Sequence, residues 1–218
     1  MRCTVVLFNR DLRVHDHPAL HHAVASSDRV IPLFVLDPQL VADSPNRTRF
    51  LLDCLDDLRA QLRQRGGDLI VARGDPVEHT VRLAKQHGAG AVFASADVTP
   101  YARRREAQLA KACAAARLEW QTFDGVGIVA PGQLAPARGD HYRLFTPYWR
   151  AWRAAPHRRP LPPPGRVNLS PGIAVGPIPS LGDVTGGTPS SELAQGGETV
   201  GRQLLHAWAR SSSAARSS

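Results

Sequence analysis

An α/β fold on a doubly wound, five-stranded parallel sheet is predicted by three features of this 218-residue chain. Short apolar runs recur through the first 125 residues, helical periodicities lie between them, and capping or turn residues mark the junctions. Unbroken apolar runs suit strands covered on both faces, as in a parallel sheet, whereas a half-exposed strand would alternate.

The first strand is read at 3–8 (CTVVLF), and further β-branched, apolar runs stand at 30–36 (VIPLFVL), 69–72 and 91–95. A fifth, more polar run covers 118–123. Leu51, Cys54, Leu55, Leu58 and Leu62 recur at three- and four-residue steps, which predicts a helix over about 47–65. Gly66-Gly67 ends it. Asp75, Pro76 and Glu78 have capping-box spacing at the start of the next helix, and Gly88 closes it. Thr99-Pro100 opens a third helix carrying Leu109, Ala112, Cys113 and Ala116. Repeated β-α-β units with right-handed crossovers make the sheet Rossmann-like. This α/β domain is assigned to 1–130.

After residue 123 the pattern changes. The stretch 131–155 concentrates aromatic residues (Tyr142, Phe145, Tyr148, Trp149, Trp152) and is read as a return segment packing on the α/β domain. Segment 156–189 holds nine of the 18 prolines with little periodicity, so 156–195 reads as a long Pro/Gly-rich interdomain linker. A helix-like stretch at 196–210 follows, and 211–218 (SSSAARSS) is expected to be a disordered tail.

Charge and composition narrow the functional classes. The formal net charge is +8, and all of the excess lies in the second half: residues 1–100 hold 12 basic and 12 acidic side chains, residues 101–218 hold 15 and 7. Polyphosphate contact and a solvated linker both fit that asymmetry. No run approaches the ~18 to 20 apolar residues of a membrane span, and the N-terminus lacks a secretory apolar core. Three distant cysteines (Cys3, Cys54, Cys113) argue against a disulfide framework and for a cytoplasmic setting. GxGxxG, P-loop, HExxH and paired CxxC signatures are missing. His15, His17, His21 and His22 cluster in HDHPALHH, but nothing completes a tetrahedral metal set, so no metal is predicted.

Position says more than motif. In an open α/β sheet, ligands settle beyond the carboxyl ends of the strands, where strand order reverses. With order 3-2-1-4-5, that crevice opens between the first and fourth strands. Asn9, Arg10 and Asp11 follow the first strand, and Asp97 and Thr99 follow the fourth. Phe34 and Asp37 lie near the end of the second, and Arg47 begins its helix. An aromatic face, two guanidinium groups and several carboxylates suit a planar, polar heterocycle. Each residue also has a structural alternative: Asp11 pairing with Arg13, Thr99 capping its helix, Phe34 filling the core.

FNRDLRVHDHPAL (8–20) resembles the opening motif of the DNA photolyase/cryptochrome family, with His17 where asparagine is usual. IPLFVLDP (31–38), DVTPYARRRE (97–106), YRLFTPYWRAW (142–152) and GGETVGRQLL (196–205) continue the likeness in family order. The resemblance implies an N-terminal antenna domain, a linker, and a helical domain that holds FAD and receives a flipped-out pyrimidine dimer from damaged DNA. On this reading the chain is the antenna-binding part of a deoxyribodipyrimidine photolyase, stopping at 196–210 where a truncated helical FAD domain begins. No catalytic residue is assigned within it, and repair by this chain alone is not expected.

The antenna favoured by the resemblance is an 8-hydroxy-5-deazaflavin, with a folate as the alternative. The binding set is Arg10, Asp11, Phe34, Asp37, Arg47, Asp97 and Thr99. Phe34 is expected to pack on the ring system, Arg47 and Arg10 to pair with its oxygens, and Asp97 to accept from a ring or ribityl group. Thr99 departs from the acidic residue of some relatives. The basic aromatic stretch 138–159 suggests either nucleic-acid stacking or packing on the chain's own domain, and exposed aromatic surface there predicts self-association. Two further readings stay open: a stand-alone nucleotide-binding α/β protein, and a non-functional photolyase remnant.

Overall fold

The computed structural model of the protein describes residues 1–40, 44–130, 132–136 and 138–214. Five parallel strands, β1 (Cys3–Phe8), β2 (Arg29–Leu36), β3 (Ile70–Arg73), β4 (Ala91–Ser95) and β5 (Glu119–Phe123), form one sheet in the order β3-β2-β1-β4-β5. Four crossover helices connect them: α1 (Pro18–Ser26), α2 (Pro45–Arg63), α3 (Pro76–Gln86) and α4 (Pro100–Ala115). The predicted fold class is the observed one.

The β1 side chains show how two faces are made from one apolar run. Val6 and Phe8 join a core with Leu20 of α1 and Leu52, Leu55, Leu58 and Leu62 of α2. Val5 and Leu7 join a second core with Ala84 of α3 and Leu109 and Cys113 of α4. Successive strand residues point to opposite faces, so every position of β1 is buried. Each fully buried leucine contributes about 1.5 to 3 kcal/mol. The polarity of β5 follows from its place at the sheet edge, where most of its residues are exposed or half-exposed.

Helix starts behave as their sequences predict. The Asp75 carboxylate accepts from Glu78 N at 2.8 Å, and Pro76 occupies the first turn of α3. At α1 the cap is His17, whose Nδ1 accepts from Leu20 N at 3.1 Å. An imidazole Nδ1 stands close to where an asparagine cap would place its carbonyl oxygen, which explains why the helix starts normally with histidine there.

The proline-rich segment is extended and packs on the α/β domain. Val167 is fully buried, its N–H donates to Arg65 O at 2.8 Å, and Val30 N donates to Asn168 O at 2.8 Å. A side chain on Gly67 would come within 2.9 Å of Val167 Cγ1, so the glycine pair that ends α2 also makes room for this strap. Ile178 and a short helix, α6 (Leu181–Val184), continue the contact over α2.

The expected packing of 131–155 on the α/β domain is not what the structure has. Helix α5 (Phe145–Ala154) carries no buried residue, and its rings stack on one another, Trp149 on Trp152 at 5.3 Å between centroids. Arg158 explains this: its N–H donates to Ile128 O and its guanidinium grips Asp16, so the chain is fastened at both ends of the span and α5 loops outward. The disordered tail expected at 211–218 also needs correction, because α7 (Glu198–Ala214) runs on through 211–214. Ser211 Oγ donates back to Trp208 O at 2.8 Å, so its hydroxyl is satisfied within the helix. Residues 215–218 lie outside the described residues.

Candidate functional site

The register places the carboxyl ends of β1 and β4 side by side, with Leu7 opposite Ala94. This is where strand order reverses, and the residues that follow meet there. Arg10 Nη1 lies 3.3 Å from Asp97 Oδ1 and 3.4 Å from Oδ2. The Asp97 carboxylate is largely buried while the Arg10 side chain is more than half exposed. Asp97 Oδ1 also accepts from Val98 N at 2.6 Å and Thr99 N at 3.2 Å, and Asp97 N donates to Glu106 Oε1 at 2.9 Å. The carboxylate is thus held by the turn and faces one exposed guanidinium, while the Asp97 backbone is tied to α4 through Glu106.

Beneath this pair Asp11 is only 4% exposed. Ser95 Oγ donates to its Oδ2, and His17 Nε2 lies 3.0 Å from the same oxygen. With Nδ1 of His17 accepting from Leu20, the ring proton sits on Nε2, facing the carboxylate. Asp11 partners His17 and Ser95 where Arg13 was the alternative, since the Arg13 guanidinium donates to the carbonyls of His15, Asp16 and Gly125. Burial alone would raise the Asp11 pKa, but His17, Ser95 and the nearby Arg13 charge outweigh it and hold the carboxyl well below the usual range. Asp11 supports the rim from below and does not present a surface to a ligand.

The other predicted residues take distinct places. Thr99 caps α4, its Oγ1 accepting from Ala102 N at 3.3 Å. Phe34 is 7% exposed and committed to the core with Phe8, Leu36 and Leu52, so the open stacking face expected of it is covered. Arg47 is on the first turn of α2, donating from Nε to Ser44 Oγ at 3.0 Å. Asp37 accepts from Gln39 N at 2.9 Å and from the Tyr101 hydroxyl. The structure therefore brings Arg10 and Asp97 together over Asp11, while Asp37 is joined to α4 through Tyr101.

Tyr101, Ser95, His17 and Glu106 were not among the predicted site residues. A tyrosine in the first turn of α4, and a serine ending an otherwise apolar strand, were the available signals. Asp37, Tyr101, Arg104, Arg105 and Pro76 line a hollow of about 190 Å³ on the α3/α4 side. A larger opening, about 530 Å³, lies at the opposite, amino-terminal edge of the sheet beside Arg2, His22 and Glu119. It is far from the strand ends where order reversal creates a crevice. Among the described residues, no group of three or more His, Cys, Asp or Glu side chains is placed to hold a metal ion.

Burial and the adjacent Asp37 carboxylate push the Tyr101 phenol up to about 12. A raised folded pKa means this bond stabilises fully below the unfolded value near ~10 and is lost as pH rises through the folded one. Of the three tyrosines, one should therefore ionise late in an ultraviolet titration of the folded chain, and Tyr101→Phe should remove that late step. Three simultaneous transitions in the wild type would contradict the Tyr101–Asp37 bond.

Comparison with known proteins gives a consistent result. The DNA photolyase family profile matches residues 4–165. The chain is 42% identical over 213 residues to a deoxyribodipyrimidine photo-lyase of Streptomyces griseus, covering 95% of this chain and 46% of the relative. Among solved structures it is similar to a Synechocystis cryptochrome, with TM-score 0.83, 26% identity, and 94% of this chain against 45% of that one. It is also similar to an archaeal photolyase from Sulfolobus tokodaii that contains two FAD molecules and implies a novel light-harvesting cofactor, with TM-score 0.79, 25% identity, and coverages of 94% and 46%. The chain spans about half the length of the curated relatives it matches.

Proposed function

Because this chain belongs to the DNA photolyase family, we propose that it is the antenna part of a deoxyribodipyrimidine photolyase and binds a light-harvesting chromophore at the β1–β4 rim. The observation that carries this reading is the Arg10–Asp97 pair at the point where strand order reverses. An 8-hydroxy-5-deazaflavin suits that donor set. Its ionisable hydroxyl and carbonyl oxygens match a guanidinium, and its ring and ribityl O–H and N–H groups match a carboxylate. The bound group would absorb light and pass excitation to a flavin.

Arg10 and Arg47 would pair with the chromophore's oxygens, and Asp97 would accept from it. Asp37 closes the β2 side, and Phe34 supplies apolar floor. Thr99 and Asp11 act by shaping the rim. The exposed Arg10 side chain can turn from Asp97 to a ligand at low cost, because an exposed ion pair contributes only about 0 to 1 kcal/mol.

Repair of damaged DNA needs a reduced FAD to accept the excitation, and none of the residues proposed here performs that chemistry. Light-dependent loss of pyrimidine dimers is therefore not expected from this chain with added FAD. Its exposed α5 rings, Phe145, Tyr148 and Trp149, favour self-association.

Equilibrium dialysis of the chain against 8-hydroxy-5-deazaflavin, a reduced folate, FAD and ATP tests the reading. Retention of the deazaflavin with a rise in melting temperature is expected. Retention of ATP without any chromophore would establish the nucleotide-binding alternative, and no retention with a non-cooperative melt would establish a remnant.

A further inference from the structure

The loop between β1 and α1 is clamped by three distant segments. Gly125 accepts from Arg13, and Arg158 with Leu161 N holds Asp16, whose own backbone is left-handed at φ 51. The third clamp comes from the start of α7. Glu198 Oε2 accepts from Val14 N at 2.9 Å, Oε1 accepts from His15 N at 3.2 Å, and His15 Nδ1 lies 2.9 Å from Oε1. The Glu198 side chain is 7% exposed. A carboxylate taken out of water to meet two consecutive amides across more than 180 residues is a built contact.

What holds Glu198 in place is equally specific. A side chain on Gly196 would overlap the Phe50 carbonyl oxygen and approach Cys54 Sγ at 2.8 Å. Gly197 has φ +121 and would bring a Cβ within 2.8 Å of Asp57 Cβ. Only glycines allow the chain to lie this close on α2. Asp57 then receives Thr199 N at 3.1 Å and the Thr199 hydroxyl at 2.5 Å, and Gln61 Nε2 donates to that hydroxyl at 2.8 Å. The α2 carboxylate caps α7, while the α7 carboxylate caps the loop.

We propose that Glu198 is a positioning residue for the β1–α1 loop. By fixing Val14 and His15 it sets the path of Arg10 and Asp11, so the rim takes its shape only when the first turn of α7 is docked on α2. The consequence for ligand binding rests on the function proposed above; the clamp itself does not. It couples the first turn of α7 to the β1–α1 loop, which carries Arg10 and Asp11 of the rim, and so links ligand occupancy to helix docking in both directions.

Hydrogen exchange on the full chain without ligand decides the clamp. In Glu198→Ala the Val14 and His15 amides should exchange at least about tenfold faster while β1 and β4 amides are unchanged. Glu198→Gln, which keeps one acceptor, should fall between. Gly196→Ala, with Glu198 intact but α7 displaced, should reproduce the alanine effect at the same two amides. Unchanged exchange at Val14 and His15 in both Glu198→Ala and Gly196→Ala would overturn the proposal. A deazaflavin titration then reads the consequence, with about five- to tenfold weaker binding expected in Glu198→Ala. Equal affinity in variant and wild type would overturn the positioning of the rim. A wild type that binds no deazaflavin would remove the antenna reading and leave the exchange result to judge the clamp.

Discussion

Asp11→Ala should cost the fold about 2 to 6 kcal/mol, because it leaves two buried donors without an acceptor at about 1 to 3 kcal/mol each. The substitution leaves the His17 ring, 1% exposed, and the Ser95 hydroxyl, 2% exposed, facing a cavity with no acceptor. It also loosens the His17 cap, and with it the start of α1. Urea unfolding at pH 7 should show a lower midpoint with an unchanged slope. The sign of the pH dependence follows from the depressed Asp11 carboxyl. Its contribution is complete above the unfolded value of ~3.9 and declines as pH falls toward the folded one. The gap between wild type and Asp11→Ala should therefore narrow between about pH 5 and pH 2. A gap that stays constant over that range, or a loss below about 1 kcal/mol at pH 7, would show that the cluster does not bind His17 and Ser95 through charge.

Asp97→Ala should weaken deazaflavin binding by about 1 to 3 kcal/mol, or roughly five- to 150-fold, if Asp97 makes a charged hydrogen bond to the chromophore. The carboxylate has two duties. It receives Val98 N and Thr99 N, which fixes the turn into α4, and it faces Arg10. Asp97→Asn separates them, because its carbonyl keeps the turn while the charge is lost. Most of the affinity loss should persist in Asp97→Asn with little change in melting temperature. Arg47→Ala should give a loss of similar size. Fluorescence titration with 8-hydroxy-5-deazaflavin measures all three, and full affinity in each would remove these residues from the site.

The fold was legible because its cues are local. VIPLFVL is apolar at every position and CTVVLF at all but Thr4, and a buried parallel strand is the arrangement that uses both faces. The Asp75-Pro76 start of α3 is set by residues within one turn. The Arg10–Asp97 meeting was readable too, since strand order alone brings the ends of β1 and β4 together. His17, Ser95 and Tyr101 were not, because their roles depend on partners 64 to 84 residues away or on an unusual cap. Phe34 shows the converse error: its place near a strand end suggested an open ring, yet α2 packs over it. The aromatic run 142–152 was read as packing on the α/β domain, but no local signal told which way its rings would face.

Chemical-shift mapping with 8-hydroxy-5-deazaflavin on isotopically labelled chain tests the location of the site. Saturable perturbation of the amides of Asn9, Arg10, Asp37, Asp97 and Thr99 is the predicted result. Perturbation confined to the opposite edge, around Thr4, Gly90 and Glu119, or none at saturating ligand, would contradict it.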